Sequence, residues 1–135
     1  MEYVIGTLFG IATGVLTSLI GMDRDRSLYP AMMIVIALLY CLFAVLGGST
    51  QALTLESAIG VIFIASAVAG FKTSLWFTVA GIIGHGLYDL VHPLLFHNPG
   101  VPVWWPGFCG TIDIVLGLYL AWLIWGNKIR QAETA

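Results

Sequence analysis

The chain is 135 residues long, 59% hydrophobic and only 9% charged, against roughly 25% charged residues in an average soluble domain. Its mean hydropathy of +0.97 leaves too little polar surface to solvate a globule, which excludes a soluble domain and predicts an integral membrane protein. A formal net charge of −2, with no basic patch and no arginine-rich arm, excludes nucleic acid as a partner and leaves the lipid bilayer.

Read in order, the chain predicts an all-α fold: one transmembrane domain over 1–135, a bundle of five transmembrane helices. About 20 apolar residues cross a bilayer core, and by that measure the spans are 3–21, 30–47, 52–71, 74–96 and 108–125. Met1-Glu2-Tyr3 opens the first span with no positively charged stretch before it, so a retained helix is expected rather than a cleaved signal peptide. Along this span Gly6, Gly10 and Gly14 recur every four residues. Such a stripe permits close helix contact, either within the bundle or at the interface of a homo-oligomer or larger membrane complex, and internal packing is the preferred reading.

The polar segment Met22-Asp23-Arg24-Asp25-Arg26-Ser27 closes span 1, and its alternating charges are expected to pair with one another. Pro30 suits the first turn of span 2, and Gly47-Gly48-Ser49-Thr50 is a turn. Lys72-Thr73 separates spans 3 and 4, and Pro93 caps or kinks the last turn of span 4. Residues 97–107 form a loop rich in Pro and Trp, in which Trp104 and Trp105 suit an interfacial anchor, as Trp122 and Trp125 do at the opposite surface. Cys41 and Cys109 are too far apart in sequence for a zinc ribbon or a disulfide framework, and read as small packing residues.

Lys and Arg placement sets the orientation. Arg24 and Arg26 lie in the first loop, Lys72 in the third, and Lys128 and Arg130 in the tail. All fall on one side of a five-span protein, which predicts the N-terminus outside and the C-terminus in the cytoplasm.

Against this apolar background, His85-Gly86-Leu87-Tyr88-Asp89-Leu90-Val91-His92 stands out. Its ionisable residues at i, i+4 and i+7 share one helix face, and ionisable groups in lipid face a bundle interior, a partner or a water-filled cavity. With the orientation above, Glu56 of span 3 and Asp113 of span 5 lie in the same outer half of the bilayer. Tyr40 of span 2 is able to join them, and His97 lies just beyond in the loop.

Histidine and carboxylate ligands suit a divalent transition metal, zinc or iron foremost. His85, Asp89 and His92 are the candidate metal ligands. Glu56 and Asp113 are the candidate catalytic carboxylates, one of them acting as general base or orienting an imidazole. His85 and His92 are about 10 Å apart along the helix axis, so one ion is not expected to take the whole face. The leading expectation is a metal-binding membrane protein, extended to a metal-dependent enzyme on a lipid-like or small apolar substrate near the outer leaflet. The same residues would also serve a small proton- or cation-translocating transporter or channel subunit, or fix helix register in a structural subunit of a complex.

There is no HExxH motif, no GxSxG elbow and no phosphate loop. The segments Gly21–Pro30, His85–His92 and Trp104-Trp105-Pro106-Gly107-Phe108-Cys109 with Asp113 resemble a family of small, uncharacterised bacterial integral-membrane proteins. The resemblance implies a bacterial inner membrane and carries no activity or substrate with it.

Overall fold

Apolar runs of this length, broken by Gly, Pro and short polar segments, form five long helices in the computed structural model, which describes residues 1–129. They are α1 (Glu2–Ile20), α2 (Leu28–Leu46), α3 (Thr50–Lys72), α4 (Trp76–Leu95) and α5 (Trp105–Trp125), with one turn of 3-10 helix at Met22–Arg24. Four of them, α1, α2, α3 and α5, are long and apolar enough to cross a membrane. The fifth, α4, has 20 residues but carries His85, Asp89, His92 and Pro93, which lower its hydropathy.

Local chemistry sets the ends. Gly21 closes α1 in the left-handed conformation at φ 80°, with its N–H on the carbonyls of the last turn, a conformation that glycine adopts without a Cβ penalty. Ser49 caps α3, its hydroxyl oxygen accepting the Ala52 N–H at 3.1 Å. α5 starts at Trp105 rather than at the expected residue 108. Pro106 fits a first turn, where no N–H is needed, and the Trp105 N–H donates to the Pro102 carbonyl at 3.0 Å. α2 likewise begins two residues ahead of Pro30, which still lies in its first turn.

Side-by-side order follows from where small residues allow approach. The Gly6, Gly10 and Gly14 stripe is buried and faces α5. A Cβ at Gly6 would meet Thr111, at Gly10 Val115, and at Gly14 Tyr119, so α1 and α5 run parallel with the glycines spent on internal packing. α5 packs antiparallel on α4 through Gly86, Gly110 and Gly117, α4 on α3 through Gly81 and Gly70, and α3 on α2 through Gly60. Gly10→Val would place its Cβ 3.0 Å from Val115. Overpacking of this kind costs about 1–3 kcal/mol, so this variant should unfold at lower denaturant than wild type in detergent.

The polar segment after α1 departs from the expected mutual pairing. Asp23 is buried and accepts a hydrogen bond from Ser18, which also bonds Tyr119 at 2.7 Å. Arg26 donates to the Gly70 carbonyl at 2.8 Å and to that of Thr73 at 3.4 Å. Among the described residues no ion pair joins Asp23 or Asp25 to Arg24 or Arg26. The exposed carbonyls at a helix C-terminus carry partial negative charge, and the end of α3 takes the guanidinium instead. Lys128 lies over the Trp122 ring at 3.6 Å. Arg130, which enters the orientation argument, lies outside the described residues.

At the end of the bundle bearing these basic residues, the core is Met33, Leu75, Ile82, Leu116 and Leu120, all buried and apolar. Apart from Asp23 and Thr78, the buried polar side chains gather toward the other end, beneath the loop over residues 96–104.

Candidate metal centre

Two pairs of glycines and one short loop assemble this polar end. At the α4–α5 contact a Cβ on Gly86 would come within 2.8 Å of the Gly110 carbonyl, and one on Gly110 within 3.0 Å of the Gly86 carbonyl. With no side chain at either position the backbones close, and Asp113 of α5 reaches the face of α4. The His85 Nδ1 lies 2.8 Å from Asp113 Oδ2 and 3.6 Å from Asp89 Oδ1, one helical turn along. His85 is 2% exposed, Asp89 and Asp113 not at all.

Each of these three residues offers a ligand atom within 4.8 Å of the others. Their hydrogen bonding is incomplete. Among the described residues, both oxygens of Asp89 and the Oδ1 of Asp113 are buried without a partner. Two carboxylates therefore flank one imidazole nitrogen, and among the described residues no Lys or Arg side chain bonds to either. Buried carboxylates are costly unless paired with a cation or protonated, so the cluster has the donor set and the charge that a divalent cation would complete.

A second cluster lies nearer the loop, and both oxygens of its carboxylate are engaged. Glu56 Oε1 accepts from His92 Nε2 at 2.7 Å and from Asn98 Nδ2 at 2.9 Å, while its Oε2 accepts from the Tyr88 hydroxyl at 2.8 Å. Asn98 also donates to the Tyr40 carbonyl at 3.1 Å. The Tyr40 ring stacks on His92, centroids 4.3 Å apart and planes at 16°, and stands 6.0 Å from the His85 ring. Tyr40 thus lies between the clusters, its hydroxyl buried without a partner.

The loop reaches Glu56 because Gly100 lies directly on α2. A Cβ there would run into the Phe43 carbonyl oxygen, and its other neighbour is Gly47. The Asn98 side-chain oxygen accepts the Gly100 N–H at 3.3 Å, closing the turn. His97, one residue earlier, is exposed and lines a cavity of about 410 Å³ together with His92, Phe96 and Pro102.

The five residues singled out from the sequence thus all lie at one end of the bundle, but divided. His85 and Asp89 come together with Asp113, which was expected as a catalytic carboxylate. His92, expected as a metal ligand, lies with its Nε2 2.7 Å from Glu56 Oε1. Glu56, the other expected catalytic carboxylate, has both oxygens engaged. Sequence reasoning missed Tyr88 and Asn98. Tyr88 sits inside the octapeptide, three residues from His85, where a partly buried tyrosine beside ionisable neighbours was a usable signal. Asn98 is masked by its own context, because Asn-Pro-Gly reads as turn chemistry.

No protein-family model, curated protein or solved structure matches this chain.

Proposed function

We propose that this chain is a five-span protein of a bacterial inner membrane that binds one divalent transition metal, zinc or iron, through His85, Asp89 and Asp113. In this reading α4 is the remaining span, the N-terminus faces outward and the C-terminus lies in the cytoplasm. The polar clusters then occupy the outer half of the bilayer, beneath loop 96–104. Four apolar helices of spanning length support the membrane setting, and Arg24, Arg26, Lys72 and Lys128 gathered at the opposite end support the orientation.

The observation that carries the metal reading is the set of three unpartnered carboxylate oxygens around one imidazole, fully buried and without a basic side chain beside them. A cation between the three ligand atoms would neutralise both carboxylates and replace the proton that His85 Nδ1 shares with Asp113. Carboxylate and imidazole donors suit zinc and iron, and three protein ligands leave a coordination position open, as in catalytic rather than structural sites. An ion there would supply Lewis-acid chemistry to a lipid-like or small apolar substrate. Glu56, with its oxygens occupied, holds His92 and the loop in place.

Proton or cation translocation is the weaker reading. It needs a polar path to both ends, whereas the buried layer below the cluster is Met33, Ile82, Leu116 and Leu120.

Elemental analysis tests the proposal. Protein purified in detergent without chelator should carry stoichiometric zinc or iron. His85→Ala should abolish it, whereas His92→Ala should leave it in place. A folded wild-type protein that neither retains nor takes up either ion would refute the metal centre.

A further inference from the structure

Beneath the loop, one nitrogen of the second cluster is left over. Glu56 accepts from the Tyr88 hydroxyl, the Asn98 amide and His92 Nε2. A carboxylate only accepts, so Nε2 carries the proton of a neutral imidazole and Nδ1 keeps its lone pair. Among the described residues Nδ1 has no hydrogen-bond partner. The ring is held in place, stacked on Tyr40 and met edge-on by Tyr88 and Phe96 with centroids 5.4 and 5.1 Å away. A metal-ligating histidine commonly has this arrangement, because a carboxylate on one N–H fixes the tautomer and makes the other nitrogen more basic.

His92 is 2% exposed and lines the cavity of about 410 Å³ beside the exposed His97. The rest of that lining favours a cation. Pro93, Pro102 and Pro106 bring no N–H, and no Lys or Arg is present. Pro93 and Leu94 belong to the last turn of α4, whose carbonyls carry partial negative charge. Among the described residues no backbone N–H of the following loop caps them. Imidazole donors suit a divalent transition metal better than magnesium or calcium.

The cavity also lies on the side from which an ion can approach the buried cluster. Met33, Ile82, Leu116 and Leu120 close the bundle below, and its flanks face lipid in the proposed topology. Above, the Tyr40 and Tyr88 rings lie between His92 and His85, their centroids 6.0 and 5.8 Å from the His85 ring.

We infer that this cavity is a second metal site, open to water, where His92 Nδ1 and His97 receive the divalent transition metal destined for the buried cluster. Two protein ligands hold an ion more weakly than three, so the outer site exchanges with solution while the inner one retains its ion. The receiving role rests on the proposed metal centre. The outer site itself does not, since neither of its ligands belongs to the inner set. Glu56 acts on it as a positioning residue, through His92.

Zinc chloride is the probe, added to chelator-stripped, full-length protein in detergent. In His85→Ala, which removes the inner site, equilibrium dialysis should find one weaker zinc site that excess magnesium does not displace. Adding His97→Ala should lower its affinity at least about tenfold, and adding His92→Ala should do the same. Adding His97→Cys, which supplies a thiolate ligand, should restore it. His97 is exposed, so its variants should stay folded. With the inner site intact, uptake at limiting zinc scales with outer-site occupancy. His97→Ala should therefore slow uptake by the same factor and leave the final metal content unchanged.

No zinc site in folded His85→Ala protein, or one indifferent to His97→Ala, would overturn the outer site. Displacement by magnesium would overturn the assignment of a transition metal, and unchanged uptake in His97→Ala the receiving role. A His97-dependent site in a protein whose wild type retains no inner ion would refute the metal centre and leave the outer site standing.

Discussion

Asp89→Asn is expected to destabilise the metal-loaded protein and stabilise the chelated one. Asp89 is fully buried and, among the described residues, neither of its oxygens has a hydrogen-bond partner. Asparagine has nearly the same shape and no charge, so the substitution removes a desolvated carboxylate. The amide is still polar, but a neutral buried group costs less to desolvate than an unpaired carboxylate, and the difference is about 1–3 kcal/mol. In the proposed metal-loaded protein the same carboxylate would be a ligand. An ion held at a hundred times its dissociation constant contributes about 2.7 kcal/mol to stability, and losing a ligand removes most of that. Thermal unfolding in detergent, with and without chelator, should therefore rank the two proteins in opposite orders. A loss of similar size under both conditions would make Asp89 a packing residue and count against the metal centre.

Glu56→Ala should have the largest effect on stability of any single change in the polar end. It would leave His92 Nε2, the Tyr88 hydroxyl and Asn98 Nδ2 without the acceptor that all three share, and open a cavity beneath the loop. Removing one member of a buried, hydrogen-bonded charged network costs about 3–5 kcal/mol, a large part of the 5–15 kcal/mol that holds a typical domain folded. Glu56→Gln should recover part of the loss, since its amide oxygen accepts while its amide nitrogen faces a donor. Denaturant titrations in detergent give the magnitudes. Elemental analysis supplies the contrast: both variants should keep their metal wherever they remain folded, because Glu56 is not among the three ligands.

Helix positions were legible in the sequence because a bilayer-length apolar run punctuated by Gly, Pro and charge has few other readings. The glycine stripe of α1 was legible as packing, though not its partner, since a period of four names a face and not its neighbour. Convergence of Glu56, His85, Asp89, His92 and Asp113 on one end followed from the direction of each span. Their division into two clusters did not. It depends on Gly86 and Gly110, which bring Asp113 to His85, and on Asn98, which a loop seated by Gly100 carries to Glu56. These are contacts between elements, and neither spacing nor composition encodes them. The charged segment at Asp23–Arg26 misled for the same reason: alternating signs suggest local pairing, whereas Arg26 finds carbonyls at the end of α3.

The parallel seating of α1 on α5 bears on the order of assembly. α1 is made before α5, yet the surface that receives its glycines is supplied by α5, the last of the five described helices. Until α5 is inserted, α1 has an unfilled stripe and Asp113 is absent from the cluster. The hairpin of α2 and α3 can form as soon as it is synthesised and α4 can join it, but α1 must wait at the edge until α5 has been made. Synthesis halted before α5 would leave a loose first helix and a half-built polar cluster together, a combination that membrane quality control could recognise.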